Sequence, residues 1–361
     1  MKADSNIKAD SDFVVAGLMS GTSLDGVDIA FCSFKEHKEK WEYRILEAKT
    51  FSYDKNWKHT LGKAHLLQGE ELINLDRYYG NFLGDQVNQF ISETGIKPQL
   101  IASHGHTVFH RPDKGYTFQT GNGINIFVRT GIPVVSDFRS LDVALGGQGA
   151  PLVPVGDELL FSDYDSCLNL GGFANISFNR QGKRIAFDIC PVNIVLNALA
   201  NELGQEFDED GQFGETGKTD KELLNSLNQI GYYKESAPKS LSREWVEDEF
   251  LPYLKKSKTS TGDKLSTIYD HIAFQVQKVL TTYSVKNVLI TGGGALNKYL
   301  AKLLQSESGI EIILPEKIII QYKEALIFAF LGWLRYHNRT NCLSSVTGAK
   351  SDSICGTLNI P

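Results

Sequence analysis

Apolar residues gather in short runs near the start of the chain, pass into a long stretch at helical spacing, and then repeat that order once. Residues 14–18, 27–34 and 43–51 are β-branched and aromatic runs bounded by polar or glycine turns, which predicts three strands. Behind them, Leu72, Leu75, Tyr79, Phe82, Leu83, Val87, Phe90 and Ile91 fall on one face of a helix over residues 70–94. LIASHG and GIPVVSDF supply further strands. CLNLGG, ANISFNR and RIAFDIC then form a second set of three runs with a glycine turn, followed by a helical stretch over 192–203. The two sets share order more than residue identity, which points to an internal duplication. The last third alternates helix 265–283, strand 287–291, GGGALN, helix 298–305, strand 310–314 and helix 322–336. The charge-rich stretch 255–264 is read as weakly structured.

This layering predicts two similar α/β halves with a ligand cleft between them. A chain of 361 residues is long enough for each half to bury its own core. No apolar run approaches the roughly 20 residues of a membrane span. The net charge of −6 argues against a broad grip on nucleic acid or an anionic membrane, so a small-molecule partner is expected. Five scattered cysteines, never spaced C-x-x-C, indicate neither a disulfide framework nor a zinc site. The opening MKADSNIKADSD has no apolar segment and reads as a disordered tail over residues 1–12; a reducing cytoplasm is expected.

The candidate chemistry sits in the turns. SGTSLDG, between the first two runs, offers Ser20, Gly21, Thr22, Ser23, Leu24 and Gly26 as a phosphate-holding turn, with backbone N–H groups and the Thr22 and Ser23 hydroxyls as donors. Asp25 and Asp28 repel phosphate directly but suit a hydrated Mg²⁺ beside it. The plainer reading is a tight hairpin in which Asp25-Gly26 supplies the special dihedrals. Gly171 and Gly172 occupy the matching place in the second set, and two such turns could clamp a polyphosphate from both sides. Gly292, Gly293 and Gly294 follow a strand and precede a helix, where a nucleotide can lie on bare backbone.

Two other stretches are set aside. GETGKT at 214–219 lacks the first glycine of a Walker loop, since Gln212 stands there, and no strand precedes it. SHGHTVFH brings His104, His106 and His110 together without a carboxylate cluster, which favours hydrogen bonders lining a cleft over metal ligands.

Taken in order, GLMSGTSLDGVD, SHGHTVFH, SDFRSLDVALGGQGAPLVP, LNLGGFANIS, FDEDG, PKSLSRE, ITGGGALN, KEALIFAFLGW and SVTGA resemble the anhydro-N-acetylmuramic acid kinase family from about residue 13 to the end. The resemblance implies the sugar kinase, Hsp70 and actin fold, two ribonuclease-H-like domains around an ATP cleft, here divided as 13–140 with 344–361, and 141–343. It implies opening of the 1,6-anhydro ring by water with transfer of the ATP γ-phosphate to O6, giving N-acetylmuramic acid 6-phosphate, and a homodimer. It assigns the water-activating base to Asp188 in FDICPVN, and the sugar contacts to His104, Thr107, Arg139 and Glu324, with Arg139 suited to the lactyl carboxylate.

Each of these also has a structural reading. Asp188 could cap the helix that follows, Arg139 could pair with Asp137 or Asp142, and Glu324 could sit at the positive end of its helix. Asp208 and Asp210 in FDEDG are weaker candidates for the base. The segment FDICPVN departs from the family's FDTGPGN, PKSLSRE from PKSTGRE, and SHGHT from SHGQT. Because of those departures, a kinase for another sugar and a non-catalytic nucleotide-binding switch of the same fold stay open as alternatives. An NAD oxidoreductase is disfavoured, since no G-x-G-x-x-G follows the first strand.

Overall fold

A computed structural model describes residues 13–21, 24–38, 40–305 and 309–360. The expected tail at 1–12, and Thr22 and Ser23 of the first turn, lie outside the described residues. The chain divides into two compact units, Met1–Leu160 with Tyr322–Pro361, and Phe161–Gln321.

In the first unit the three opening runs are strands: β1 (Val14–Met19), β2 (Gly26–His37) and β3 (Lys40–Ser52). They are joined by β4 (Leu100–Ser103), a hairpin of β5 (His106–Arg111) and β6 (Tyr116–Thr120), and β7 (Val134–Ser136). β1 pairs antiparallel with β2, and β2 with β3, whereas β4 lies parallel to β1 and β7 parallel to β4. A C-terminal strand, Thr357–Asn359, closes the edge antiparallel to β7. β1 reads as an almost unbroken apolar run because it is central and covered on both faces.

One face of that sheet carries the Gly69–Thr94 helix. It opens on a capping box between Gln68 and Glu71, closes on Gly95 at φ 71°, and buries Tyr79, Leu83, Val87 and Phe90 against Ile29 and Phe31. The other face carries the Lys317–Tyr336 helix, seated so closely on β1 that a Cβ at Gly17 would stand 1.9 Å from the carbonyl oxygen of Ala325.

The second unit repeats the scheme with β8 (Ser166–Leu170), β9 (Phe173–Arg180), β10 (Lys183–Pro191), β11 (Asn287–Thr291) and β12 (Glu311–Ile313). β8 and β9, and β9 and β10, are antiparallel; β8 with β11, and β11 with β12, are parallel. The helices Asn193–Glu202, Thr261–Thr282 and Lys298–Gln305 join its core. Its order β10-β9-β8-β11-β12 matches β3-β2-β1-β4-β7 strand for strand. The duplication is therefore one of topology, and the topology is ribonuclease-H-like in both units.

The unit boundaries correct the expected division. Residues 141–160 and 322–343 belong to the first unit rather than the second. The reason is packing: Val153–Leu160 sets Gly156 against Ile327, and the later part of the Lys317–Tyr336 helix covers β1 and β4 through Ala325, Ala329 and Gly332. The stretch 255–264 is also more ordered than its charge suggested, with helix at Leu251–Lys256 and again from Thr261.

Candidate functional site

In the first unit the site is built at the ends of β1, β4 and β7. Asp28 on β2 lies opposite Met19 in register, at the mouth of the SGTSLDG turn, and opposite Thr50 on β3. Thr50 donates to its carboxylate at 2.6 Å. Burial holds the Asp28 carboxyl above its usual range, the Thr50 bond draws it back, and Asp25 raises it further. Asp25 itself is exposed. Among the described residues of the turn the left-handed one is Leu24 at φ 59°, and neither Asp25 nor Gly26 has a positive φ, so the plain hairpin reading in which Asp25-Gly26 provides the special dihedrals does not hold. Gly26 is small for another reason: a Cβ there would meet the Phe51 carbonyl oxygen at 2.4 Å.

Ser20 closes β1 inside a buried chain of hydroxyls. Tyr53 donates to its Oγ at 2.8 Å, the Tyr53 and Tyr79 hydroxyls are 2.5 Å apart, and the Ser20 Oγ meets His106 Nδ1 at 3.1 Å. Burial lowers the His106 imidazole to about 4, so it is neutral near pH 7.

His104 and Arg139 form one unit of structure. Arg139 Nε and Nη2 stand 3.0 and 2.9 Å from His104 Nε2, and Arg139 Nη1 donates to the Gly149 carbonyl at 2.6 Å. Because a guanidinium has only donors, Nε2 must be an acceptor, and the proton sits on Nδ1, 2.9 Å from the Gly105 carbonyl. Burial, reinforced by the Arg139 charge, keeps His104 well below its ordinary value. Burial also lowers Arg139 to about 10, opposed by Glu324.

Arg139 thus bonds neither Asp137 nor Asp142. The Asp142 carboxylate takes Gly149 N–H, Thr347 Oγ1 and the Cys342 thiol, which ties down the GGQGAP loop. Thr107 on β5 accepts from Gln119 at 3.4 Å.

Glu324 lies two residues past a kink at Tyr322 (φ −118°, ψ 15°) that interrupts the Lys317–Tyr336 helix. It is open to solvent. Desolvation by the surrounding protein and the Asp28 charge nevertheless raise its carboxyl, with Arg139 and Lys323 pulling the other way. Its neighbour Lys323 makes a buried ion pair with Asp157 at 2.7 Å, the two side chains only 6% and 5% exposed. Sequence reasoning passed over that pair; the available signal was a charged dipeptide in each of two otherwise apolar helical stretches, Asp157-Glu158 in VPVGDELLF and Lys323-Glu324 in KEALIFAF.

In the second unit Gly171 and Gly172 form the β8–β9 turn. The Gly172 carbonyl accepts from Val192 and Ile194, and the Gly171 carbonyl from Asn193, so the turn is fastened to the start of the Asn193–Glu202 helix. The third glycine cluster joins them: a Cβ on Gly292 would meet Asn169 Oδ1 at 2.6 Å and one on Gly294 the Leu170 side chain at 2.8 Å. Gly172 and Gly293 differ, since a Cβ at Gly172 meets nothing within 4 Å and one at Gly293 only Asn193 Nδ2 at 3.7 Å. Those two present bare backbone to open space, the form a phosphate or ribose cradle takes.

Asp188 stands on β10 where the pairing with β9 slips by a residue. Its carboxylate accepts one backbone N–H, from Leu241 at 2.8 Å, while its own N–H donates to the Lys239 carbonyl and Tyr232 donates to its carbonyl at 2.6 Å. It does not cap the next helix, whose N-cap is Val192 with no side-chain bond. Burial raises its carboxyl and the Leu241 amide partly offsets the rise.

The weaker acidic candidates hold a loop. Asp208 accepts from the amides of Phe213 and Gly214 and from Tyr269, which Asn297 of GGGALN also contacts at 2.8 Å; Asp210 pairs with Lys298. GETGKT runs through a short helix, Gln212–Thr216, and the Lys218 amide donates to Asp263.

Two ribonuclease-H-like units, each with polar turns at its strand ends and a desolvated carboxylate beside them, Asp28 in one and Asp188 in the other, have the architecture of the sugar kinase, Hsp70 and actin class. A model of one family within that class, anhydro-N-acetylmuramic acid kinase, matches residues 13–360. The chain is 35% identical to the anhydro-N-acetylmuramic acid kinase of Shewanella denitrificans, covering 94% of this chain and 96% of the relative. It is 32% identical to that of Sulfurimonas denitrificans, covering 96% and 99%. Among solved structures, component A of the (R)-2-hydroxyglutaryl-CoA dehydratase of Acidaminococcus fermentans aligns at 14% identity with a TM-score of 0.47, over 90% of this chain and 99% of that one. The chain belongs to the anhydro-N-acetylmuramic acid kinase family, and it is a kinase of cell-wall recycling. No helix among the described residues is long and apolar enough to cross a membrane.

Proposed function

We propose that the chain opens the 1,6-anhydro bond of anhydro-N-acetylmuramic acid with water and phosphorylates O6 from ATP. Asp188 takes a proton from the water whose oxygen bonds to C1; the C1–O6 bond breaks, O6 bonds to the γ-phosphorus, and the bond to ADP breaks. The observation that carries this reading is the setting of Asp188, a desolvated carboxylate on a strand irregularity with one amide donor and no cation among its hydrogen-bond partners. A raised pKa brings a base closer to the working pH, which strengthens it as a proton acceptor.

His104, Thr107, Arg139 and Glu324 bind the sugar, and the neutral His104 fixes the plane in which Arg139 presents its guanidinium. Ser20–Gly26 and the glycines at 171–172 and 292–294 hold the nucleotide, the open backbone at Gly172 and Gly293 being the feature that fits it. Asp25 and Asp28 would hold Mg²⁺ through water, an all-oxygen donor set that suits this ion; when bound it neutralises phosphate charge. The active form is a homodimer.

Ile189, Cys190 and Val192, which depart from the family's FDTGPGN pattern, are fully buried core residues of β10 and its exit. They change packing rather than the base. Likewise Leu241 serves Asp188 through its backbone N–H, which any residue but proline supplies.

The test is Asp188→Asn. Turnover should fall by about 10²–10⁴-fold with ATP binding by calorimetry unchanged; turnover within a few fold of the parent sinks the assignment of the base.

A further inference from the structure

The Lys317–Tyr336 helix breaks at Tyr322, and the boundary between the two units falls at the same step, from Gln321 to Tyr322. The turn that carries Glu324 therefore starts without a regular helix ahead of it to fix its rotation.

Beyond the break the helix is gripped on two sides. Toward β1, a Cβ at Gly17 would stand 1.9 Å from the Ala325 carbonyl oxygen and 2.9 Å from the Ala329 Cβ. Toward Val153–Leu160, a Cβ at Gly156 would stand 2.6 Å from the Ile327 side chain, and one turn earlier Lys323 meets Asp157 at 2.7 Å. Lys323 and Ile327 are four residues apart and share a face. Glu324 lies between the gripped positions Lys323 and Ala325 and is left facing solvent, where the charges of Asp28 and Arg139 act on it. The Tyr322 hydroxyl, just ahead, stands 3.4 Å from Thr50 Oγ1, the group that donates to Asp28.

Stability does not account for the charged pair. Taking two charges out of water costs about what their attraction returns, so apolar residues of similar volume often serve as well. Ile327 supplies such an apolar contact to Gly156 one turn later. An ion pair differs in being directional, because Nζ must stay beside one carboxylate oxygen.

We propose that Lys323 and Asp157 are positioning residues for Glu324: their ion pair fixes the rotation of the first turn beyond the break, and with it the direction in which the Glu324 carboxylate points. Both are buried and act through Glu324 rather than on the sugar. The inference rests on the reading above, in which Glu324 binds the sugar, and deepens it by naming what holds that group.

Because Lys323→Met alone strands a buried charge, the test uses the double variant Lys323→Met with Asp157→Leu, in the parent and in Glu324→Gln. In the parent the double variant should melt within a few degrees of the unaltered protein, yet lose about ten- to a hundredfold in kcat/KM for anhydro-N-acetylmuramic acid, with the KM for ATP within about twofold. Adding the two substitutions to Glu324→Gln should change kcat/KM by no more than about twofold, since the carboxylate they aim is gone. A crystal structure of the double variant should show the Glu324 carboxylate displaced by about 1 Å or more. Parental kcat/KM in the double variant, an equal loss in the Glu324→Gln background, or a carboxylate in its original place overturns the proposal while leaving the kinase intact. If the unaltered protein makes no 6-phosphate, the kinase reading fails instead, and the place of the carboxylate in that crystal structure still decides the positioning role.

Discussion

At the scale of single residues, Asp188 is governed by what surrounds it rather than by a charged partner. Burial raises its carboxyl, so the acid limb of the kcat/KM profile should lie above the ordinary aspartate value of 3.8, measured as rate against pH at fixed MgATP. A limb at or below that value would mean that another group titrates. Gly172 permits a second residue-level prediction. A methyl there meets no protein atom within 4 Å, so Gly172→Ala should leave Tm within about 1 °C yet raise the KM for ATP several-fold, because only a ligand occupies that space. Part of the setting was legible beforehand: the three glycine turns stand out by residue type and position, while Asp188 and the residues proposed for the sugar are implied by the family resemblance. What restrains Asp188 was not legible, because its partner is the backbone amide of Leu241, 53 residues away in sequence and invisible in side-chain identity.

At the scale of elements, the Lys317–Tyr336 helix shows how tertiary packing sets limits that periodicity cannot. Periodicity placed its start at residue 322, where the structure has the kink; the preceding turn is helical because its isoleucines pack as well. Beyond the kink the helix presses on β1 with backbone against backbone. Gly17→Ala should cost about 1–3 kcal/mol in urea unfolding, since the new methyl must displace Ala325. The Lys323–Asp157 pair joins this helix to Val153–Leu160. Removing one charge, as in Lys323→Met, should cost about 3–5 kcal/mol, and adding Asp157→Leu should recover most of it, because the penalty is an uncompensated buried charge rather than a lost attraction. A double variant as unstable as the single would show that the pair is held for another purpose. The β5–β6 hairpin was not anticipated as a hairpin, since SHGHTVFH lacks the alternation of a strand with one buried face.

At the scale of the whole molecule, the duplication was readable because it lies in the order of elements, whereas the place where each unit ends was not. That place depends on which residues fill the sheet faces, and Ala325, Ala329 and Gly332 cover β1 and β4 of the first unit from far along the chain. Both units also carry histidines kept neutral by burial: His106 at about 4, and His271, between Asn228 and Tyr233, at about 3. Their folded values lie below the unfolded value of 6.5, so the unfolded chain binds protons first as pH falls. Stability should be highest above pH 6.5 and decline toward pH 3, each group contributing up to about 1.4 kcal/mol per pH unit while only its unfolded form is protonated. His271→Gln should flatten that decline in urea melts taken at successive pH values; an unchanged slope would contradict the burial of a neutral imidazole.

The central claim, that one active site both hydrolyses and phosphorylates, is tested most directly by the fate of water oxygen. Purified protein is incubated with MgATP and anhydro-N-acetylmuramic acid in ¹⁸O-water, and the product is analysed by mass spectrometry with the label located. The account predicts N-acetylmuramic acid 6-phosphate carrying ¹⁸O on C1 and none in the phosphate ester. A phosphorylated product whose anhydro ring is intact, or label in the phosphate in place of C1, would contradict it.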